Sequence, residues 1–504
     1  MADWGDGFDC YAAFADAHAG YWDSGAGTPT FVAGRFSGSQ ALHVTATSTV
    51  LTKSNGANDA VHHLVVAFRQ TAAISGTTLG LYLQLLDGTT GQCCVVFRSD
   101  GAILLTSGTP AGTVLDTYTG AFPVTNTWYA FEFEVAISNT TGSWAVRKNG
   151  NTVNDRATGS LDTQVSANAY ANKLTVGMQA AVNSHEIDDL YWRSSAATGS
   201  FLSDIRCYTR MPASDAAVQF SRTPGTTAVM YNTSVANNGG PIANTIWFIP
   251  IAATFSGSAA AGLASFFASV TGSVNMAMYD NSGITGSGIF ASGSPGVLLA
   301  QGVPLTDPGI GLQTFTYVTP VSVTKGTQYW IAMFSDVTLN LKISGSSSLN
   351  KAALNAAYSG GNFPASAAGA GITGLSNGFT YVGFLMAPTN ASVVAEAQQD
   401  AATSYVYSST PGHADLYGIA PIASTPLTTF AVTTRAYAIK SDAGTRTMAV
   451  QLKSGGTTVG SPTLVLTTSN WQWAWRHDTT DPATGAAWTA AAVNVAQVGP
   501  VVIA

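Results

Sequence analysis

Three acids fall within four positions at Glu186, Asp188 and Asp189. If this run is extended, Glu186 and Asp188 project from one face, because strand side chains alternate. Two carboxyls on one face can act as nucleophile and acid in a retaining glycoside hydrolase when they stand roughly 5–5.5 Å apart. Clustered carboxylates supplemented by backbone carbonyls can instead hold a hard cation, which makes Asp188 and Asp189 a candidate calcium site. The plainer alternative is a set of acids that shape a turn or a strand end.

Other residues invite the same weighing. Glu132 and Glu134 alternate with Phe131 and Phe133, the pattern of an outer strand with one face to solvent and one to the core. His62 and His63 are neighbours, so on a strand they point to opposite faces and cannot share a metal. His185, beside Glu186, is a candidate acid–base group. Trp471, Trp473 and Trp475 recur at period two and share one face. They are candidate ligand-binding residues if exposed, since indole rings stack on sugars, and a packing seam if not. Cys10, Cys93, Cys94 and Cys207 are too few for a disulfide framework in 504 residues, and no C-x-x-C spacing occurs. They read as buried, reduced thiols. No G-x-S-x-G elbow or P-loop is present, and the glycine-rich run 283–288 reads as a turn with no helix after it.

The elements that must position these residues are strands. Leu79 to Leu86 runs into Asp87-Gly88, and Cys93 to Arg98 runs into Asp100-Gly101. Such pairs favour tight hairpins because glycine accepts positive φ. Tyr129 to Val135, Trp144 to Lys148 before Asn149-Gly150, Leu174 to Met178 and Ile187 to Arg193 continue the pattern. Short runs with turns every eight to twelve residues predict an all-β chain of several sandwich or jelly-roll domains. Ile246 to Ile251, Val274 to Tyr279, Thr314 to Val318 and Tyr329 to Phe334 extend it through the middle, with a Gly/Ala/Ser-rich stretch at 359–378 as a long loop or oligomer contact. Leu427 to Ala438, Thr447 to Leu452 and Pro462 to Leu466 are strands of the C-terminal region, and an Ala-rich turn of helix follows Trp488-Thr489.

Composition narrows the partners. Only 9% of residues are charged and the net charge is −7, which offers no electrostatic footprint for nucleic acid or anionic lipid. The stretch from Ile251 to Val270 is uncharged over 20 residues, the length of a membrane span. Its small residues and lack of flanking Lys or Arg mark it as part of a packed or oligomeric β protein instead. The first seven residues have neither a basic nor an apolar region, so no signal peptide is expected.

Three segments carry a family resemblance: Asp6-Gly7-Phe8-Asp9, Gly34-Arg35-Phe36-Ser37-Gly38-Ser39, and His185-Glu186-Ile187-Asp188-Asp189-Leu190-Tyr191. Together they resemble the concanavalin A-like (LamG-like) module at the N-terminus of tailed-bacteriophage virion proteins. Phe201 to Arg206, Thr403 to Thr410, Asp442 to Arg446 and Asp481 to Thr489 are similar to the C-terminal sandwich of those proteins. About 170 residues separate its two halves here, so the resemblance implies an insertion. The expected domains are 1–198, a discontinuous 199–222 plus 391–504, and an inserted β-sandwich at 223–390.

Glucanases of the concanavalin fold carry E-x-D-x-x-E along one strand. This chain supplies Glu186 and Asp188 but places Tyr191 at the last position, which removes the second catalytic acid. The resemblance therefore implies a non-enzymatic structural protein of the particle exterior: tail fibre, tail tip, neck appendage or head decoration. It implies assembly in a host cytoplasm, other virion proteins as partners, a homo-oligomer with trimer the expected number, and host-surface glycan as a ligand. No cofactor is expected beyond calcium. The alternative is a virion depolymerase acting on polysaccharide.

Overall fold

In a computed structural model of the chain the alternating runs become antiparallel strands joined by the turns their sequences favour. Leu79–Asp87 and Thr90–Arg98 form a hairpin closed by Gly88 at φ +59°. Asn149 and Gly150 both take positive φ, +54° and +75°, the geometry that Asn-Gly tolerates best. Thr447–Ser454 returns as Thr457–Gly460 around Gly455 at φ +53°. The structure describes residues 2–44, 47–180, 185–195, 197–225, 227–230, 237–239, 243–283, 293–339, 341–344, 351–355, 362–367, 373–375, 379–380, 382–396, 398, 400, 403–422 and 428–504. The expected turn at 284–288 and most of the stretch at 359–378 lie outside them. Among the described residues the longest helix is Ala490–Val495, the Ala-rich turn after Thr489.

Contacts divide the chain into two units. The first is Met1–Gln219 with Glu396–Asp400 and Ser408–Ala504, and the second is Phe220–Ala395 with Ala401–Tyr407. The second unit stacks two seven-stranded antiparallel sheets over a core that includes Ile249, Phe266, Met276, Met278, Ile331 and Phe384. The uncharged run 251–270 lies mostly in the strands Thr245–Ala252 and Gly257–Phe266 of these sheets. No described helix is long and apolar enough to cross a membrane.

The first unit opens with a sandwich of an eight-stranded and a seven-stranded sheet. In the eight-stranded sheet Tyr129–Ala136, Val61–Gln70 and His185–Ser195 lie side by side. The far edge of His185–Ser195 is shared: Gln40–Val44 pairs with its first residues, and Ala2–Asp6 with Leu190 to Ser194. The seven-stranded sheet contains Ile103–Ser107, Thr90–Arg98, Leu79–Asp87 and Ala171–Met178 as neighbours. Between the sheets Phe68 stacks on Phe97 with centroids 4.1 Å apart, beside Phe122, Phe131, Phe133, Trp144 and Trp192. Each such side chain contributes about 1.5–3 kcal/mol on burial.

The outer face of the eight-stranded sheet is covered. Glu132 and Glu134 point outward as alternation requires, but they are buried, not solvent-facing. The segment that follows the last strand crosses over them. Glu132 accepts the N–H groups of Leu202 and Ser203, and Glu134 accepts that of Gly199. Leu202 and Ile205 then pack on Val65 and Tyr191. Alternation shows which way a side chain faces, not what later chain arrives to cover it.

Residues 408–504 add a six-stranded sheet, shared with Pro212–Ala217, and a two-stranded pair, Val432–Ala438 with Gln472–Asp478. Of the expected run from Leu427, which itself lies outside the described residues, Val432–Ala438 is a strand; the run from Pro462 narrows to Leu464–Val465, since a proline lacks the ladder N–H. Arg435 on the two-stranded pair reaches Asp6 of the first strand. Asp6 is wholly buried and accepts from the Phe8 N–H, the Tyr11 hydroxyl and the Trp22 indole, with Arg435 Nη1 at 3.5 Å. The guanidinium also donates to the Tyr11 hydroxyl and lies 4.3 Å from the Tyr21 ring centroid.

Two predictions follow from this packing. Arg435→Met leaves Asp6 without its counter-charge and is expected to cost about 3–5 kcal/mol, seen as a lower Tm; an unchanged Tm would make the pair dispensable. Glu132→Ala should speed hydrogen exchange at the Leu202 and Ser203 amides, and protection equal to wild type would deny that the carboxylate holds the covering segment.

Candidate functional site

The acid-bearing strand changes neighbours at Asp188 and Asp189, and its register slips there. Pairing with Gln40–Val44 stops at Ile187 and pairing with Ala2–Asp6 starts at Leu190. Asp189 takes φ +51°, a left-handed conformation that Asp tolerates better than most residues. A bulge at such a junction frees backbone N–H groups that ladder pairing no longer satisfies.

The carboxylates meet one of those groups and the N–H groups of two other segments. Asp188 Oδ2 accepts the Arg35 N–H at 2.8 Å and the Ser39 hydroxyl at 3.2 Å, while Oδ1 accepts the Asp189 N–H at 2.7 Å. Asp189 Oδ1 accepts the Cys207 N–H at 2.7 Å, and Oδ2 lies 3.7 Å from Arg35 Nη1. Arg35 is held in turn by both oxygens of Asp204, at 2.6 and 2.5 Å. Nearby, Asp9 accepts the Gln40 N–H at 2.8 Å. Gly34 permits the approach, since a Cβ there would stand 2.6 Å from Asp188 Oδ2.

The three segments that carry the family resemblance thus converge on one buried network. Burial pushes the carboxyls of Asp188 and Asp189 above the usual range, Asp189 further because Asp188 stands beside it. Asp9 is raised by burial too.

Glu186 is separately engaged: Arg69 Nε donates to Oε2 at 2.5 Å, and His43 Nδ1 lies 3.2 Å from Oε1. Tyr191, where a last acid would stand, is buried on the same outer face. His185 faces the opposite way, into the core between the Leu81 N–H and Gln70, and burial lowers its pKa to about 4. His62 and His63 point to opposite faces, as their adjacency requires. His62 accepts from the Trp192 indole, and His63 packs edge-on to Phe201. All four cysteines are free thiols.

Among the described residues no group of three or more His, Cys, Asp or Glu is arranged to hold a metal ion. Calcium takes six to eight oxygens. Here both oxygens of Asp188 and one of Asp189 accept protein hydrogens, and the remaining oxygen faces a guanidinium. This donor set does not fit a cation.

The tryptophan stripe turns toward the first sandwich. Trp473 is buried against Tyr11 and Tyr437, its indole donating to the Asp16 carbonyl at 2.7 Å and its backbone N–H to the Ala19 carbonyl. Trp475 donates to the Gly20 carbonyl at 3.1 Å, with Lys53 Nζ 4.4 Å from its ring centroid. Trp471, just before the strand, stacks on Tyr437. No local pattern joins Arg35 to Asp204, Asp6 to Arg435 or Asp3 to Arg193; the last two residues are 190 positions apart.

No family model matches the sequence, and no curated protein matches it. Solved structures do resemble part of it. A galectin, LEC-6 of Caenorhabditis elegans, is 15% identical with a TM-score of 0.21, over 30% of this chain and 95% of its own. The exoplasmic/lumenal domain of VIP36 in its Ca2+/Man2-bound form is 10% identical with a TM-score of 0.23, over 34% and 82%. Domain 4 of AbnA, an extracellular arabinanase of Geobacillus stearothermophilus in complex with arabinotriose, is 14% identical with a TM-score of 0.23, over 39% and 96%. The chain is an all-β protein built on antiparallel sheets.

The raised carboxyls fix a sign for pH dependence. An acid whose folded pKa exceeds its unfolded value binds more protons when folded, so stability falls as pH rises between the two. For Asp189 the window runs from the ordinary carboxylate value near 4 to about 8. Wild-type Tm should therefore fall from pH 5 to pH 8 more steeply than that of Asp189→Asn. Parallel pH profiles for the two proteins would contradict the assignment.

Proposed function

We propose that this chain is a non-catalytic binding protein: a structural and attachment component on the exterior of a tailed-bacteriophage particle, with neighbouring virion subunits as partners and carbohydrate as the ligand class of its lectin-like unit. The observation that carries the non-catalytic reading is the fate of the acids. A retaining glycosidase needs two carboxyls facing one substrate cleft. Here Glu186 is paired with Arg69 and His43, Asp188 is fully hydrogen-bonded, and Tyr191 occupies the third position. A carboxyl whose oxygens face arginine or backbone N–H groups, and not a cleft, cannot reach a substrate.

The phage reading rests on the three N-terminal segments and the interrupted C-terminal motifs quoted above. Composition supports it: a surface poor in charge, in a chain rich in Gly, Ser, Thr and Ala, suits a particle held by extensive subunit contacts more than by salt-sensitive ion pairs. In the second unit Ile310 is exposed beside the strand Gly311–Val323, and Leu312 and Val318 are exposed on it. Exposed apolar side chains on a long strand are a contact surface for another chain.

Antibody labelling of intact particles in the electron microscope tests the assignment, with labelling of tail, neck or head exterior expected and unlabelled particles contradicting it. Incubation with host-surface polysaccharide should release no reducing ends. Release that Glu186→Gln abolishes would establish the depolymerase instead.

A further inference from the structure

We infer that the cleft lined by Asp3, Arg193, Thr428, Thr429, Phe430 and Thr479 binds a neutral, hydroxyl-rich ligand the size of one sugar ring. The inference rests on the reading that carbohydrate is the ligand class, and assigns that ligand a place away from the acid-bearing bulge. The cleft holds about 250 Å³ and opens to solvent. That is many waters' worth of space, yet below the roughly 300–1,000 Å³ of pockets that enclose drug-sized ligands.

Its polar groups are fixed in advance. Arg193 Nε lies 3.0 Å from Asp3 Oδ1 and Nη2 lies 3.3 Å from Oδ2, a two-pronged pair. The side chains are 15% and 2% exposed. A guanidinium carries five N–H donors and a carboxylate about four acceptor positions, so the pair has capacity beyond its own two bonds. Because the two charges cancel locally, a charged ligand attracted by one is repelled by the other, whereas a neutral hydroxyl can accept from the donors left on Arg193, the more exposed partner.

The threonines add short hydroxyls. Thr429 Oγ1 is buried with no hydrogen-bond partner, and so is Nε2 of His477, two residues before Thr479. Burial keeps His477 neutral by lowering its pKa. An unmet buried hydroxyl is unusual in a folded chain, and rotation of the Thr429 side chain toward the cleft it lines would let a ligand hydroxyl meet it. Phe430 supplies the apolar surface. It packs on Val65, Tyr191, Leu202 and Ile205, and Arg193 Cζ lies 5.5 Å from its ring centroid. One aromatic ring among several fixed polar groups is the balance that orients a small polar ligand.

Saturation-transfer NMR on the full chain tests this, with methyl α-D-glucopyranoside, methyl β-D-galactopyranoside, N-acetyl-D-glucosamine and L-rhamnose as probes. At least one probe should bind saturably in the millimolar range. Thr429→Val and Phe430→Leu should each weaken it about tenfold, the factor expected for one lost interaction of ordinary strength. Thr457→Val, on an exposed hairpin of the same unit, should leave it unchanged. Thr429→Val should also keep or raise Tm, which separates lost binding from lost folding. Saturable binding that survives both cleft substitutions overturns the cleft and leaves the carbohydrate reading standing. No saturation of the wild-type chain by any probe overturns both.

Discussion

A buried carboxylate must be met by a donor or a counter-charge, and in the first unit that requirement organises the chain. Asp6, Glu132, Glu134, Glu186, Asp188 and Asp189 are all buried, in a sequence with only 20 lysines and arginines. The cost of desolvating each acid is high unless hydrogen bonds replace the lost water. Backbone N–H groups of residues 199–207 meet three of them, Arg35 and Arg69 stand against the bulge and Glu186, and Arg435 crosses from the C-terminal strands to Asp6. Covering that face is therefore a condition of folding it.

The same requirement bears on function. Acids at the spacing of a glucanase strand would be catalytic if they faced a water-filled cleft. Here Glu186 faces Arg69, and Asp188 and Asp189 accept hydrogens from Arg35, Ser39 and Cys207, with Asp189 Oδ2 left 3.7 Å from the Arg35 guanidinium. The tryptophan stripe is likewise turned to structural use, with Trp473 inserted into the core of the first sandwich. The Asp3–Arg193 cleft, with its threonines and Phe430, is open to solvent in this unit. A β-sandwich fold does not decide activity, which depends on which side chains are left free to meet a ligand.

Much of the fold was legible in the sequence. Period-two alternation with Asp-Gly and Asn-Gly punctuation placed Leu79–Asp87, Thr90–Arg98, Tyr129–Ala136 and His185–Ser195 within a few residues, because the signal is local. Alternation also gave the facing of Glu132, Glu134 and the three tryptophans. It could not give their environment. The burial of Glu132 depends on Leu202 and Ser203, and the docking of Trp473 on Asp16 and Ala19. The Asp6–Arg435 and Asp3–Arg193 pairs join distant positions whose residue types are unremarkable where they stand. Of the candidate site, the acids were readable and their partners were not.

These acids are held in structural contacts within the fold. Carbodiimide labelling of carboxylates on the native chain, read by mass spectrometry, tests this most directly. Asp6, Glu132, Glu186 and Asp188 should stay unmodified while the exposed Asp162 and Asp442 label readily. Labelling of Glu186 and Asp188 at the rate of the exposed acids would contradict the account and return both residues to candidacy as catalytic groups.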